Sequence, residues 1–259
     1  FVVWYTQYEG ALPSSSLTVT PFTQIGEVDD FSVVYGVWFG GTDVFPTYAD
    51  DNGTYLYSEL IKVDPFGNVT AETITTCGSD MNNDSVLMMH QFTMHEIRYD
   101  PEFSSPGDPT LLVTGYAVHD EEISYTADGA NYTSGDLVSG TVWRWRPNAE
   151  PGHKLHGIVD LGDTITPKLT GLSNVGMGDM RVGVHCPGGP VWHGVDYMHQ
   201  SSACAGVSGT IVSSLRSPNA VVSHRADGSG IEWIMTGDPA LNTSYNKFLF
   251  ERENEKFYY

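Results

Sequence analysis

Residues 221–233 read Val221-Val222-Ser223-His224-Arg225-Ala226-Asp227-Gly228-Ser229-Gly230-Ile231-Glu232-Trp233. A run of β formers meets Asp-Gly-Ser-Gly, and a second run follows. That is the signature of a hairpin, because Asp and Gly supply the tight-turn geometry and the flanking residues suit a pleated surface. The same design recurs. Leu60 to Val69 reads LIKVDPFGNV, a strand, a turn on Asp64-Pro65-Phe66-Gly67 and a new strand. Gly140-Thr141-Val142-Trp143-Arg144-Trp145 reads as the second half of such a hairpin.

Outward from these hairpins the pattern holds. Tyr55-Leu56-Tyr57, Leu111-Leu112-Val113-Thr114 and Thr210-Ile211-Val212-Ser213 are short β runs between Gly, Asp, Asn and Pro clusters. Helical periodicity is hard to find, so the class is all-β. The hairpins recur at intervals longer than the ~40–50 residues of compact propeller repeats. Long inserted loops at Ser104–Pro109, Thr126–Asp136 and Leu169–Val191 would explain the stretch. Repeated four-stranded units favour a β-propeller over an evenly spaced sandwich. Functional groups would then be scattered in sequence and gathered by different blades.

Composition narrows the function. Of 259 residues, 17% are charged and 40% hydrophobic, which excludes a disordered tail or a coiled coil. The net charge is −20, from 12 basic and 32 acidic side chains. Such a surface repels phosphate backbones, so nucleic acid is not an expected partner. No apolar run approaches the ~20 residues of a bilayer span, so no membrane contact is expected within this segment. Five N-x-S/T sequons, at Asn52, Asn68, Asn83, Asn131 and Asn242, suggest a secreted, extracytoplasmic glycoprotein. Cys77, Cys186 and Cys204 form no CxxC, and Cys186 with Cys204 could close one disulfide. Phe1-Val2-Val3-Trp4 is no signal peptide, and Lys256-Phe257-Tyr258-Tyr259 stops inside an apparent strand. The segment reads as an internal piece of a longer protein.

Nine histidines are present. His153 and His156 read as surface residues, His119 as solvated or charge-paired beside Asp120-Glu121-Glu122, and His224 as part of a hairpin turn. His95, in Met94-His95-Glu96-Ile97, and His199, in Asp196-Tyr197-Met198-His199-Gln200-Ser201-Ser202, differ. Each stands beside an apolar or aromatic run. Arg216 directly follows a strand. An arginine there either projects to solvent beside a carboxylate or faces a polar cavity or a partner.

In order and spacing these pieces resemble the arylsulfotransferase family, whose members take the sulfuryl group from aryl sulfates. The stretches are Asp196-Tyr197-Met198-His199, then Thr210–Arg216, Asn219-Ala220-Val221-Val222, and Gly230-Ile231-Glu232-Trp233-Ile234-Met235-Thr236-Gly237. Met94-His95-Glu96-Ile97 is similar to the family's H-H-D-I stretch one blade earlier. The likeness is concentrated in residues 94–145 and 192–250, and is firmest from Trp192 to Asp238. The resemblance implies one partial propeller domain over 1–259. It would hold three to four blades of a six-bladed whole. It also implies a ping-pong reaction through a sulfohistidine, with a small aryl sulfate as donor, a phenol as acceptor, no cofactor and no metal.

The resemblance makes His95, His199 and Arg216 candidate catalytic residues and Tyr197 and Ser201 candidate substrate contacts, with Trp192 a further aromatic near the substrate ring. Tyr197 stands where the family has Trp, Ser201 where it has Asn, and Gln91 separates His90 from the family's paired-histidine pattern. The nucleophilic histidine is expected just beyond Tyr259, so this segment alone is expected to be inactive. The chemistry suits the residue types. A moving SO3 group spreads charge over three oxygens, and a guanidinium grips two of them at once. An imidazole hands a proton to a departing phenolate.

Two rival classes stay open. One is a non-catalytic secreted propeller binding a ligand or glycan. The other is a metal-dependent enzyme using His95, His199 and Asp196 or Glu96, which an adjacent arginine disfavours.

Overall fold

A computed structural model describes residues 17–19, 23–24, 32–39, 57–75, 88–89, 97–127, 130–150, 153–165, 181–185, 191–216 and 220–236. Within them the chain is built of strands arranged in three sheets, as the turn-and-strand pattern predicts. The first sheet holds β1 (Leu17–Val19), β2 (Thr23–Gln24), β3 (Val33–Phe39), β4 (Tyr57–Val63) and β5 (Val69–Thr75). β2, β3, β4 and β5 pair in sequence order, all antiparallel, and β1 also pairs with β3.

The turn between β4 and β5 forms for a local reason. One carboxylate oxygen of Asp64 accepts from the backbone N–H of Phe66 and of Asn68, each at 2.8 Å. Its other oxygen accepts from the Asn68 side-chain amide at 2.8 Å. The Gly67 N–H donates to the Asp64 carbonyl at 3.0 Å, and Gly67 itself takes φ +88°, which only glycine adopts cheaply. The Asn68 side-chain bond, with the backbone bonds behind it, holds the Asp64 carboxyl below its ordinary value of 3.8.

The second sheet repeats the meander. β7 (Arg98–Tyr99), β8 (Leu111–Ala127), β9 (Ala130–Trp145) and β10 (Leu155–Asp160) pair in order, antiparallel, with β6 (Met88–Met89) also on β8. β8 and β9 form one long ribbon from Leu111↔Trp145 to Ala127↔Ala130. A register shift leaves Glu121 and Glu122 opposite Gly135 alone, a β-bulge. Thr126–Asp136 is therefore a hairpin tip, not the inserted loop expected from its Gly, Asn and Asp content. Main-chain pairing holds a ribbon together whatever the polarity of its side chains, so composition alone misreads it. The expected loop at Leu169–Val191 likewise contains β11 (Arg181–His185), paired to β12 (Val191–Asp196). β12 then runs parallel to β9 through Val195↔Leu137 and Asp196↔Val138.

The third sheet is a plain antiparallel meander of four strands: β13 (Gln200–Ala205), β14 (Thr210–Leu215), β15 (Ala220–Arg225) and β16 (Ile231–Thr236). Its turn at Asp227–Gly230 is where the sequence puts it, with the Asp227 carboxylate accepting from Ser229 N–H at 2.9 Å and Gly228 at φ +75°.

The three meanders stack face to face, with β8 and β9 in the middle. Leu111, Val113, Trp143 and Trp145 bury toward Val34 and Leu60 of the first sheet. Leu112 and Val142, one residue out of phase, bury against Ala203 and Ile211 of the third. Successive side chains of a strand point to opposite faces, so a strand covered on both sides reads as an unbroken apolar run. Leu111-Leu112-Val113 is that run, each residue no more than 1% exposed. Polar links tie the layer edges together. Lys62 of β4 donates to Asn148 at 3.0 Å, and Asn148 donates to the Gly107 carbonyl at 2.8 Å. Buried Arg144 donates to Asp100 at 2.9 Å and lies 3.4 Å over the Phe103 ring.

Leu112→Ala should cost about 2–5 kcal/mol of unfolding free energy, as expected for deleting a sealed core side chain. Val207→Ala, at an exposed turn, should change it by less than about 0.5 kcal/mol. Urea denaturation of the two variants checks both values; similar effects would contradict the two-faced core.

Candidate functional site

The β13–β14 hairpin carries three of the expected residues, His199 and Arg216 at its open end and Ser201 within β13. Gln200 pairs with Leu215, and beyond that pair the Arg216 N–H donates to the His199 carbonyl at 3.1 Å. His199 and Arg216, seventeen positions apart in sequence, therefore sit side by side at the open end of one hairpin. Arg216 is exposed and His199 half-buried. Ser201, half-buried, is the extra residue of a bulge, since Gln200 faces Leu215 and Ser202 faces Ser214.

The residues around His199 are locked. Tyr197 is 2% exposed and donates its hydroxyl to the Ile165 carbonyl at 2.7 Å. That commits the hydroxyl to the main chain, and the ring to the core. Met198 is sealed, with its sulfur accepting from the Gly140 N–H at 3.5 Å. Gln200 is sealed too, and fills the space over Gly140: a Cβ there would stand 2.6 Å from the Gln200 side-chain oxygen. The residue between these two anchors takes φ +44°, a left-handed conformation costly for a side-chain-bearing residue. Buried neighbours on either side hold His199 there, one residue before β13, where a glycine of the adjacent sheet meets Met198 and Gln200.

His95 and Glu96 lie outside the described residues. His95 stands three positions before β7, as His199 stands one before β13. In sequence, Met94-His95-Glu96 and Met198-His199-Gln200 are similar short stretches, the first ahead of β7 and the second leading into β13. Trp192 lies on β12, on the stretch that leads to the site. Among the described residues no group of three or more His, Cys, Asp and Glu is arranged to hold a metal ion.

A buried polar chain under the site escaped the sequence reading. Gln200 donates to the Ser213 hydroxyl at 3.1 Å, and that hydroxyl bonds His224 Nε2 at 3.2 Å. His224 Nδ1 meets the Arg225 carbonyl at 3.4 Å. A carbonyl only accepts, so Nδ1 carries the proton and Nε2 accepts from Ser213. His224 is not at a hairpin turn as expected. It lies within β15 and is 1% exposed. The turn begins after Arg225, whose guanidinium pairs with Glu232 outside. Burial lowers the His224 pKa from 6.5 to about 4, opposed only by the Arg225 carbonyl. The Gln200 side-chain oxygen and the Ser223 hydroxyl are buried beside this chain without a partner.

Other expectations sort plainly. His153 and His156 are exposed, though His156 belongs to β10. Cys204 is an exposed free thiol on β13, so the disulfide to Cys186 is not formed. Cys186 and Cys77 lie outside the described residues.

The chain was compared with family models, with curated proteins and with solved structures, and nothing matches in any of the three. The site is therefore read from its own chemistry: a half-buried histidine with a left-handed backbone and an exposed arginine, joined by one main-chain bond at the end of a hairpin.

Two outcomes follow. His224 is neutral when folded and protonated near 6.5 when unfolded, so the unfolded state binds the extra proton between pH 6.5 and 4. Stability is full above pH 6.5 and falls on acidification through that window, by about 3 kcal/mol in all. His224→Gln should flatten the slope in urea titrations at pH 7, 5.5 and 4.5; an unchanged slope would remove His224 as its source. Gly140→Ala should cost about 1–3 kcal/mol by overpacking against Gln200, and Gln200→Gly in the same chain should recover part of that loss.

Proposed function

We propose that the three stacked meanders are neighbouring blades of a β-propeller, and that the chain belongs to an enzyme transferring a sulfuryl group from an aryl sulfate to a phenol. Four-stranded meanders packed face to face in sequence order are how propeller blades are arranged. The observation that carries the chemistry is the main-chain bond joining His199 to Arg216. It supports the reading because an anionic SO3 group needs a fixed cation and a nearby proton carrier, and the hairpin brings those two side chains to one end of one sheet.

In this reading Arg216 binds two sulfuryl oxygens and offsets the charge that grows on them. The ester S–O bond breaks as a histidine nitrogen takes the sulfur, and His199 delivers a proton to the departing aryl oxygen. The second half reverses the step. A phenol oxygen attacks sulfur, the S–N bond breaks, and the phenol proton returns to the base. The sulfur-carrying histidine is the one expected in sequence following Tyr259, and His95 supplies a second imidazole from the preceding blade. A surface of net charge −20 repels a sulfate ester at long range, which makes the local cation the deciding group.

In the chain together with the sequence that follows Tyr259, Arg216→Ala should lower p-nitrophenyl sulfate turnover with a phenol acceptor about 10²–10³-fold, the usual loss for one oxyanion donor. Because Arg216 is exposed, the melting temperature should hold. Arg216→Lys should recover only part of the rate, since an ammonium cannot grip two oxygens. Unchanged turnover in Arg216→Ala rejects the assignment.

A further inference from the structure

We infer that Asn68 is an N-glycosylation site whose first sugar rests on the ring of Phe66. Of the five sequons, Asn68-Val69-Thr70 is the one whose asparagine side chain the structure describes, and Asn68 is exposed. It follows the Asp64–Gly67 turn. That turn presents an aromatic ring with nothing over it: Phe66 is 85% exposed, and the adjoining Val69 is 53% exposed.

The geometry holds the backbones of Phe66 and Asn68 together on one turn. The backbone nitrogens of Phe66 and Asn68 both bond to the same oxygen of Asp64, each at 2.8 Å. The two residues are thus held a few ångströms apart on a turn already fixed by three further bonds, from Gly67 to Asp64, between Asp64 and Asn68, and from Asn68 Nδ2 to Asp64. A pyranose has one face of C–H groups, and an exposed aromatic ring held in place is the surface that such a face covers. Asn68 Nδ2 donates one hydrogen to Asp64 at 2.8 Å. Glycosylation replaces one amide hydrogen and leaves the other, so the Asp64 bond and the turn survive the modification.

The transfer balances with a donor of one class, an oligosaccharide linked to a polyprenyl diphosphate. The bond from the sugar C1 to the diphosphate oxygen breaks, the Nδ2–C1 bond forms, the lipid diphosphate leaves, and Nδ2 gives up a proton. The inference rests on the extracytoplasmic expectation that the five sequons raise, and on nothing in the proposed function.

The test secretes the chain from a eukaryotic host. Peptide N-glycosidase treatment in heavy-oxygen water follows, with mass spectrometry of the peptide holding Asn68. A labelled aspartate at 68 is the expected result. Label at other sequons with none at 68 overturns this site and leaves the extracytoplasmic expectation standing. A secreted chain with label nowhere overturns both. The ring contact is read separately, from the melting temperatures of secreted and bacterially produced chain. The glycan should raise the melting temperature by about 2–4 °C, the shift of one aromatic contact in a domain of this size. In Phe66→Ala, an exposed position that leaves the core alone, the gain should vanish. An equal gain in both overturns the seat on Phe66.

Discussion

Burial of β8 and β9 on both faces is the constraint on which the rest depends. A sheet covered on one side stabilises one neighbour; this ribbon serves two. Leu111, Val113 and the two tryptophans face one layer, while Leu112 and Val142 face the other. The relative position of the outer sheets is therefore set by a single pair of strands in one register. Everything placed by the third sheet, His199 and Arg216 included, inherits its position from that register through Ala203 and Ile211.

The inheritance becomes tight at Gly140. This residue lacks the one atom that would keep Gln200 out, and its N–H reaches the Met198 sulfur. The main chain around His199 is thereby fixed by a neighbouring sheet as well as by its own hairpin. Such support lets a left-handed histidine persist, because the cost of its conformation is offset by the burial of the residues either side. The polar chain Gln200–Ser213–His224 continues the anchoring inward across three strands.

What the sequence made legible was local. The Asp64–Gly67 and Asp227–Gly230 turns are short-range chemistry, and both stand where Asp and Gly put them. The sequence marked Thr210–Ser213 as a strand with Arg216 behind it, but the pairing of that strand with Gln200–Ala205, which brings His199 and Arg216 together, came from the structure. Features made by a second sheet were out of reach. Nothing adjacent to Gly140 in sequence announces Gln200, which is sixty positions away. His224 looked like a turn residue because Asp and Gly follow closely. Yet Val222 and His224 share a face of β15, and the strand-period pattern was the available clue. The tip of the β8–β9 ribbon reads as a loop from its Gly, Asn and Asp content, because composition does not reveal main-chain pairing.

The bulge residue Ser201 governs the parity of β13. Gln200 and Ala203 both turn inward although three positions separate them, an odd interval that a regular strand forbids. The bulge absorbs the odd step. Removing Ser201 would leave Gln200 and Ala203 two positions apart, the interval of a regular strand, whereas a residue lost between Ser202 and Ala205 would exchange inside for outside along the remainder of the strand.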